Sequence, residues 1–346
     1  MQELTPETPR LMTVKHADIP SLLYFWPQLD TQAYFLRTLG QAHTISVLNQ
    51  ERAVFMDALL KKSFDEAVNI FIAYSKSRKL GWNHDQRTGA AYGKKLLAFY
   101  NFVKQSGLPG KIILREGPPG GTGRLVVYDG NHRLVIAHHL GLDVPAQVYS
   151  CEFSLRQEWA SRKSKDPKYH LYQSIFLNRE EIIIGKRRDA LDRMDVVRRE
   201  DLEGKSVLVL GSNNCHDCFM AGELGASRVL GVDINAEELN YAMRINTYYG
   251  LPVEMRQFDL RKPFDAGKFD TILAFSIYDK SDKPSLVQTM KAAGGVIYFE
   301  GHSLHEPILE DAEYRKRYAP VLSHFSGVEL VRETPNLARR MYRVTQ

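Results

Sequence analysis

The sequence predicts an α/β protein with a parallel sheet in its C-terminal part and a smaller α+β domain, led in by helices, in its N-terminal part. From residue 206 onward, short apolar strands alternate with helices, which is the order that builds a parallel sheet. Residues 111–149 read strand, loop, strand, helix, strand, which describes a separate small unit. A chain of 346 residues is long for a single core, so two domains are expected.

The N-terminal elements follow from periodicity and turn residues. Residues 22–102 carry apolar side chains near a 3.6-residue period, which indicates helices. Two strands are predicted at 111–114 and 124–128, on either side of a loop rich in glycine and proline at 117–123. A helix over 131–140 is expected to end at Gly141, and a strand over 144–149 follows.

A polar and basic segment separates this unit from the C-terminal sheet. Within it, residues 161–167 are the expected linker, because they are polar and end in Asp-Pro. The predicted domains are therefore 1–155, the helical lead-in with the small α+β unit; 156–200, a basic linker and helix; and 201–346, the parallel sheet. The expected strands of that sheet are 206–210, 228–232, 253–257, 271–275 and 295–299, and its helices are 216–224, 236–248 and 285–292.

Composition excludes several classes of protein. Hydrophobic residues make up 44% and charged residues 25%, as in ordinary globular proteins. No apolar run approaches the roughly 20 residues needed to span a bilayer, and the first residues do not resemble a secretory signal. Three cysteines are too few for a disulfide scaffold, so we expect a cytoplasmic protein. The net charge of +5 is mild, and most of the excess lies between residues 161 and 200.

Four features occur at predicted strand ends, where open parallel sheets bind ligands. Gly211, Ser212 and Asn213 form a turn of small residues before a helix, where the backbone can approach a ligand. Asp233 ends the second strand, and its carboxylate can accept hydrogen bonds from both hydroxyls of a ribose. The third and fourth features are Asp259, placed to meet an adenine edge, and Phe275, which ends the strand beside the reacting group.

The order of these features resembles the class I S-adenosylmethionine-dependent methyltransferases, over residues 201–346. The resemblance implies a Rossmann-like sheet, S-adenosylmethionine as the cofactor, and cofactor contacts from Gly211, Ser212, Asn213, Asp233, Asp259 and Phe275. Two residues depart from the family pattern: Val209 stands where an acidic residue is common, and Cys215 stands where the third glycine is common. A degenerate pocket is the alternative. An NAD-binding domain is less favoured, because the G-x-G-x-x-G spacing is missing.

Cys215 and Cys218 form a C-x-x-C pattern that suggests zinc or redox chemistry. Zinc needs four ligands, and the remaining cysteine, Cys151, lies in another predicted domain. We therefore expect no metal, and interpret both cysteines as small residues that pack the cofactor loop.

Methyl transfer to a hydroxyl or amine needs a base near the acceptor. Asp279, Glu300 and His302 follow predicted strands and are the candidate catalytic residues. The alternatives are a turn aspartate for Asp279 and a salt-bridged pair for the other two. The segment after Phe275 lacks an Asn-Pro-Pro-Tyr-type motif, which argues against a DNA base as the acceptor.

A second motif occurs in the N-terminal unit, where Asp129-Gly130-Asn131-His132-Arg133 follows a strand and opens a helix. It resembles the ParB/sulfiredoxin superfamily over residues 107–149. The resemblance implies binding of a nucleotide or phosphate, such as ATP or ADP with Mg²⁺, at Asp129, Gly130, His132 and Arg133. A helix N-terminus and an arginine fork both suit phosphate. The alternative is a side-chain network that only stiffens the turn.

Two hypotheses of function follow. The first is a methyltransferase that acts on a small polar or phosphorylated acceptor, related to glycans or metabolites, with an N-terminal domain that binds or makes the phosphorylated substrate as a kinase. The second is a protein associated with nucleic acid, in which the ParB-like part and the basic stretch 156–199 hold DNA or RNA. The first is favoured, with a small molecule as the partner. The sequence does not determine the oligomeric state.

Overall fold

The computed structural model describes residues 7–25, 44–46, 51–77, 85–117, 125–177, 179–187, 190–302, 309–334 and 339–345. One compact unit lies mainly before Lys165 and includes Thr247–Gly250, and the second contains Lys165–Asn246 and the chain from Leu251 onward. The predicted functional domain limits at 155 and 200 stay a prediction. Most of the predicted loop at 117–123, and residues 26–43 of the predicted helical lead-in, lie outside the described residues.

The first unit contains a mixed six-stranded sheet in the order β1-β6-β4-β5-β2-β3. Only the pairs β4–β6 and β2–β5 are parallel. Its strands are β1 (Arg10–Val14), β2 (Leu23–Phe25), β3 (Thr44–Ser46), β4 (Ile112–Glu116), β5 (Leu125–Asp129) and β6 (Val144–Tyr149). Its helices are α1 (Glu51–Lys61), α2 (Phe64–Ser77), α3 (Gln86–Ser106), α4 (Asn131–Leu140) and α5 (Cys151–Lys165).

Two cores hold this unit together. One lies between the sheet and α4, with Ile112, Leu114 and Leu134 fully buried. The other joins α1, α2 and α3 to the opposite side of α4, through Val135 and Ile136. Helix α4 is therefore apolar on two faces. Its N-terminus lies at the end of β5, because only Gly130 separates the two elements.

One expectation for the first unit is wrong. The lead-in is not helical throughout, because residues 23–25 and 44–46 are strands that extend the sheet. The boundary between the two units falls inside the expected linker at 161–167, although residues 161–165 are the last part of helix α5. Buried Arg115 of β4 forms a 3.1 Å ion pair with buried Glu158 of α5, which fixes the helix to the sheet.

The second unit is built on a seven-stranded sheet in the order β11-β10-β9-β12-β13-β15-β14. The first five strands in this order are parallel, and β15 pairs antiparallel with both β13 and β14. Its strands are β9 (Ser206–Leu210), β10 (Arg228–Asp233), β11 (Val253–Gln257), β12 (Thr271–Phe275), β13 (Val296–Glu300), β14 (Gly327–Glu333) and β15 (Arg340–Thr345). Its helices are α6 (Ala190–Met194), α7 (His216–Glu223), α8 (Ala236–Tyr249), α9 (Lys283–Ala293) and α10 (Asp311–Leu322), with 3₁₀ turns at Arg199–Asp201 and Tyr278–Lys280.

This arrangement is the open Rossmann-like sheet that the alternation of strands and helices predicts. Strands β9, β11 and β12 have the predicted limits, and the other predicted elements agree within two residues at each end. The strand order reverses between β9 and β12, which are parallel neighbours although two strands separate them in sequence. Ligands bind at such a switch point, beyond the carboxyl ends of the strands. A small hairpin, β7 (Ile175–Leu177) with β8 (Glu180–Ile183), precedes the sheet and was not predicted.

Candidate functional site

The loop that follows β9 has an unusual backbone. Gly211, Asn213 and Cys215 all adopt left-handed conformations, with φ of 72°, 48° and 62°. The amides of Gly211 and Ser212 both donate to the carbonyl of Val232, each at 2.9 Å, which fastens the loop to β10. The family pattern has glycines in this loop, and asparagine and cysteine adopt the glycine conformation here at some cost in strain.

Two glycines let the loop pack closely. A Cβ atom on Gly211 would lie 2.4 Å from a methyl group of Ile277. A Cβ on Gly231 of β10 would lie 2.7 Å from the sulfur of Cys218, 3.0 Å from the hydroxyl of Ser212 and 3.2 Å from the sulfur of Cys215. Both thiols are free and fully buried, and burial raises the pKa of the Cys218 thiol. The two cysteines therefore pack the loop, and the Cys218 thiol is a poor nucleophile.

Asp233 joins this loop to the end of β10. One carboxylate oxygen accepts the amide of Asn213 and the other accepts the amide of Asn235, both at 2.8 Å. The backbone carbonyl of Asp233 accepts the amide of Phe258, at 2.8 Å. Because a carboxylate has about four acceptor positions, two remain for other donors such as the hydroxyls of a ribose. The structure therefore brings Asn213 and Asp233 together, as the sequence predicts.

Asp259 lies one residue beyond this junction. Its carboxylate forms hydrogen bonds with the guanidinium of Arg261, and these hold the pKa of Asp259 at about 2. It also accepts the amide of Arg261, which makes it part of a tight turn. Its contact with adenine stays a prediction.

Sequence reasoning missed Ile234. Its side chain is 53% exposed, although it follows a buried strand and directly follows Asp233. An exposed apolar side chain at a strand end can contact the flat face of a ligand, and such a contact at Ile234 stays a prediction. The signal that could have found it is the apolar residue inside the Asp-Ile-Asn turn.

The carboxyl ends of β12 and β13 meet beside the loop. Phe275 is buried and lies opposite Glu300 in the register of the two strands. Ser276 follows with φ of 52°, and its amide donates to the carbonyl of Glu300 at 2.7 Å. The hydroxyl of Ser276 donates a hydrogen bond to the Glu300 carboxylate at 3.1 Å and accepts one from the guanidinium of Arg193.

Glu300 is the centre of a buried charge cluster. Its carboxylate forms an ion pair with Arg193 and lies 3.9 Å from Arg187, and all three side chains are at most 3% exposed. Burial by itself would raise the pKa of Glu300, but Arg193, His302, Arg187 and Arg339 outweigh it and hold the pKa below its usual value. Sequence reasoning missed both Arg187 and Arg193, which lie about 100 residues from their partner and show no local pattern.

His302 is fully buried beside Glu300. Its Nε2 atom accepts the amide of Leu309 at 3.3 Å, and its Nδ1 atom lies 3.6 Å from the Glu300 carboxylate. Nδ1 makes no hydrogen bond with the described residues, and the salt-bridged pair stays the alternative interpretation. This geometry does not favour a general base, and the catalytic role of Glu300 and His302 stays a prediction.

Asp279 has a different environment. It lies in the 3₁₀ turn after β12, its side chain is about half exposed, and Arg317 is 4.0 Å away. Of the three predicted bases, it is the one that solvent and an acceptor can reach.

The residues predicted to bind phosphate lie at the turn between β5 and α4 of the first unit. Gly130 caps α4 with φ of 103°, and a Cβ there would lie 2.4 Å from a methyl group of Ile112. Arg133 lies on the first turn of α4, forms a 3.0 Å ion pair with Asp129, and donates to the carbonyl of Lys111. Part of its donor capacity is therefore already used inside the turn.

His132 lies deeper than Arg133. Its Nε2 atom is 2.9 Å from the hydroxyl of Tyr92. Burial lowers its pKa to about 4, with smaller contributions from Arg52 and Arg133 that Asp129 partly opposes. His132 is therefore neutral at pH 7. Phosphate binding by these residues stays a prediction.

Two features are absent from the described part of the chain. No helix there is long and apolar enough to cross a membrane. No group of three histidine, cysteine, aspartate or glutamate side chains there could hold a metal ion.

Residues 187–296 match the family model of the branched-chain polyamine synthase A C-terminal domain. No curated protein matches the chain.

Several solved structures are similar in fold. The ribosomal protein L11 methylase from Lactobacillus delbrueckii subsp. bulgaricus is 18% identical, with 47% of this chain and 80% of that chain covered and a TM-score of 0.37. A putative RNA methyltransferase from Pyrococcus horikoshii is 15% identical, with 46% and 81% covered and a TM-score of 0.35. The N-terminal domain of EvdMO1, crystallised in the presence of SAH and D-fucose, is 18% identical, with 55% and 95% covered and a TM-score of 0.39. The second unit has an open Rossmann-like sheet, and these solved structures are similar to part of the chain.

Proposed function

We propose that the second unit binds S-adenosylmethionine at the carboxyl ends of β9, β10 and β12 and methylates a small polar or phosphorylated acceptor, such as a glycan or metabolite. The observation that carries this proposal is the hydrogen bond between the Asn213 amide and the Asp233 carboxylate, because it joins the two features on which the family resemblance depends. Val209 and Cys215 depart from the pattern, yet the loop keeps the left-handed backbone at Cys215.

The residues fit the cofactor in chemistry as well as position. Asp233 can accept ribose hydroxyls, and Ile234 offers an apolar surface to the adenine. Gly211 lets the backbone approach the ligand where a side chain would collide with Ile277. When bound, the cofactor supplies an electrophilic methyl group.

On the acceptor side, this chain positions groups and moves a proton. Asp279 is the proposed base, since it is reachable and follows β12. The cluster of Glu300, Arg193 and Ser276 makes the ends of β12 and β13 rigid, and a rigid wall keeps the acceptor in line with the methyl group.

The first unit is proposed to bind a nucleotide or phosphate. Arg133 and the amides at the start of α4 would face the phosphate, and Asp129, whose side chain is largely exposed, could carry Mg²⁺. In this version a kinase site makes the phosphorylated acceptor that the second unit methylates.

The test of the cofactor is calorimetric titration of S-adenosylmethionine and S-adenosylhomocysteine into the full chain. Asp233→Ala should lower the affinity at least about a hundredfold, because it removes a half-buried acceptor and frees the Asn213 amide. Asp265→Ala is the matched control, since Asp265 is exposed and only caps the amide of Gly267. Equal affinity for Asp233→Ala and the parent protein would refute the site.

A second candidate is alkyl transfer to an amine. It is favoured by the match of residues 187–296 to a polyamine synthase domain, a stretch that contains Arg187, Arg193, Asp233 and Asp279. Incubating the protein with labelled cofactor and separate pools of amines and phosphorylated sugars distinguishes the two. Label in the amine pool alone would select this candidate.

Nucleic acid remains the alternative partner. Within the basic stretch, Arg156 is paired with Glu152, Arg179 with Asp195, and Arg199 with Glu203. These pairs leave fewer cations for phosphates. A binding constant that falls about tenfold or more between low and moderate salt would support this alternative.

A further inference from the structure

Three polar side chains cluster behind the loop that follows β9. Gln173 lies just before the β7–β8 hairpin, Asn214 lies within the loop, and Asp217 lies in the first turn of α7. They are only 3%, 1% and 3% exposed. Buried polar groups are normally paired, because taking them out of water is costly.

The contacts within this cluster use its amide N–H groups. The amide nitrogen of Gln173 donates to one oxygen of Asp217 at 3.4 Å, and the amide nitrogen of Asn214 donates to the backbone carbonyl of Gln173 at 3.0 Å. These bonds set the orientation of both amides, since turning either one would place oxygen against oxygen.

Three oxygens are left over. Oε1 of Gln173, Oδ1 of Asn214 and Oδ1 of Asp217 are buried and accept no hydrogen bond from the residues that the structure describes. One of them belongs to a carboxylate, so a ligand group that pairs with all three needs a positive charge as well as hydrogen-bond donors. A primary ammonium has a positive charge and three N–H donors, whereas a water molecule has two donors and no charge.

We propose that Gln173, Asn214 and Asp217 form a subsite for a primary ammonium group of a bound ligand. The proposal rests on the proposed function, because Asn214 directly follows Asn213, whose amide is bonded to Asp233 in the cofactor site. The ammonium belongs either to the amino-acid part of the sulfonium cofactor or to an amine acceptor. Asp217 supplies the charge, and the two amide oxygens set the direction of approach.

The experiment compares ligands with and without the amino-acid part that carries the ammonium. S-adenosylhomocysteine carries the ammonium and 5′-methylthioadenosine lacks it, while both contain the same nucleoside. Calorimetric titration should show that Asp217→Asn weakens S-adenosylhomocysteine about tenfold to a hundredfold, as expected for loss of a charged hydrogen bond. Binding of 5′-methylthioadenosine should stay within about twofold of the parent protein, because its contacts are untouched.

Spermidine is the probe for the other source. If both nucleosides bind Asp217→Asn as they bind the parent protein, the ammonium is not that of the cofactor. Spermidine binding that Asp217→Asn abolishes would then assign the subsite to the acceptor. If neither ammonium ligand distinguishes the variant from the parent protein, the subsite is refuted.

Thermal unfolding without ligand separates binding from a structural role. Asp217→Asn should be at least as stable as the parent protein, because it removes a buried charge while keeping the shape of the side chain. A large loss of stability would make Asp217 structural and overturn the proposal. Glu254→Gln is the matched control, since Glu254 pairs with Arg228 on the outer strands of the same sheet and should change neither affinity.

Failure of the subsite and failure of the proposed function are distinguishable. If the parent protein binds neither nucleoside, the cofactor site is wrong, and spermidine alone decides whether the cluster binds an ammonium. If the parent protein binds both nucleosides and Asp233→Ala loses both, while Asp217→Asn loses neither nucleoside and binds spermidine as the parent protein does, the cofactor site stands without the subsite.

Discussion

The loop after β9 and the turn after β5 are the same supersecondary element with different charged groups. Each takes a strand into a helix through a left-handed residue, Gly211 in one and Gly130 in the other. In the first, the carboxylate of Asp233 accepts the amide of Asn213. In the second, the cation of Arg133 is paired with the carboxylate of Asp129 and lies beside neutral His132. The two regions therefore share a backbone geometry and differ in the charged side chains that surround it.

The largest effect is expected from adding a methyl group at the two glycines. Gly130→Ala should lower the free energy of unfolding by about 2–4 kcal/mol, because the Cβ would meet Ile112, including its backbone, at a φ that disfavours alanine. Gly211→Ala should cost less, since only one methyl group of Ile277 lies closer than 3 Å to the added atom. Urea unfolding of both variants measures the difference.

The matched control for these glycines is Gly141→Ala. Gly141 also has a left-handed φ, 67°, but no atom lies within 4 Å of an added Cβ. Gly141→Ala should lower the free energy of unfolding by about 1 kcal/mol, from backbone strain alone. If all three variants lost the same stability, close packing would not distinguish the turns at Gly130 and Gly211 from an ordinary helix end.

The pH dependence of stability tests the second region. The pKa of His132 is about 4 in the folded chain and about 6.5 in an unfolded one. The unfolded chain therefore binds more protons between these values, and the stability present above pH 6.5 is lost as the pH falls towards 4. Between pH 7 and pH 4.5, the free energy of unfolding of His132→Gln should therefore fall by on the order of 2 kcal/mol less than that of the parent protein.

Urea titrations at several pH values measure this loss. His324→Gln is a useful control, because His324 follows α10 in the second unit and faces none of these groups. If the free energy of unfolding of His132→Gln depended on pH as that of the parent protein does, His132 would not titrate between pH 7 and pH 4.5.

The smallest effect is expected at Asn213 in the first region. Asn213→Gly should change the free energy of unfolding by less than about 1 kcal/mol, because relief at a φ of 48° offsets the greater freedom of glycine in the unfolded chain. Cys215→Gly should be more destabilising, since it removes a buried sulfur that packs against Gly231. A reversed order of the two variants in thermal unfolding would show that backbone strain at Cys215 outweighs its packing.

Local patterns predicted much of the second unit. Strands β9, β11 and β12 have the limits that the sequence indicates, because buried parallel strands are short apolar runs bounded by turn residues. Strands β14 and β15 were not predicted, since they are more polar and β15 pairs with β13, more than 40 residues earlier in the chain. Strand β1 was missed for the same reason, because its partner β6 is more than 130 residues away.

The candidate site divides in the same way. The sequence by itself determined the turn at Gly211, the acid at Asp233 and the turn at Gly130, because a strand end, a small residue and a helix start are local signals.

Only the tertiary structure decided the environment of each charge. It buries Glu300 between Arg187 and Arg193, leaves Asp279 exposed, and brings Gln173 to Asp217. Such contacts depend on how distant elements pack, and burial then sets which groups are paired, which are neutral and which are left to bind a ligand.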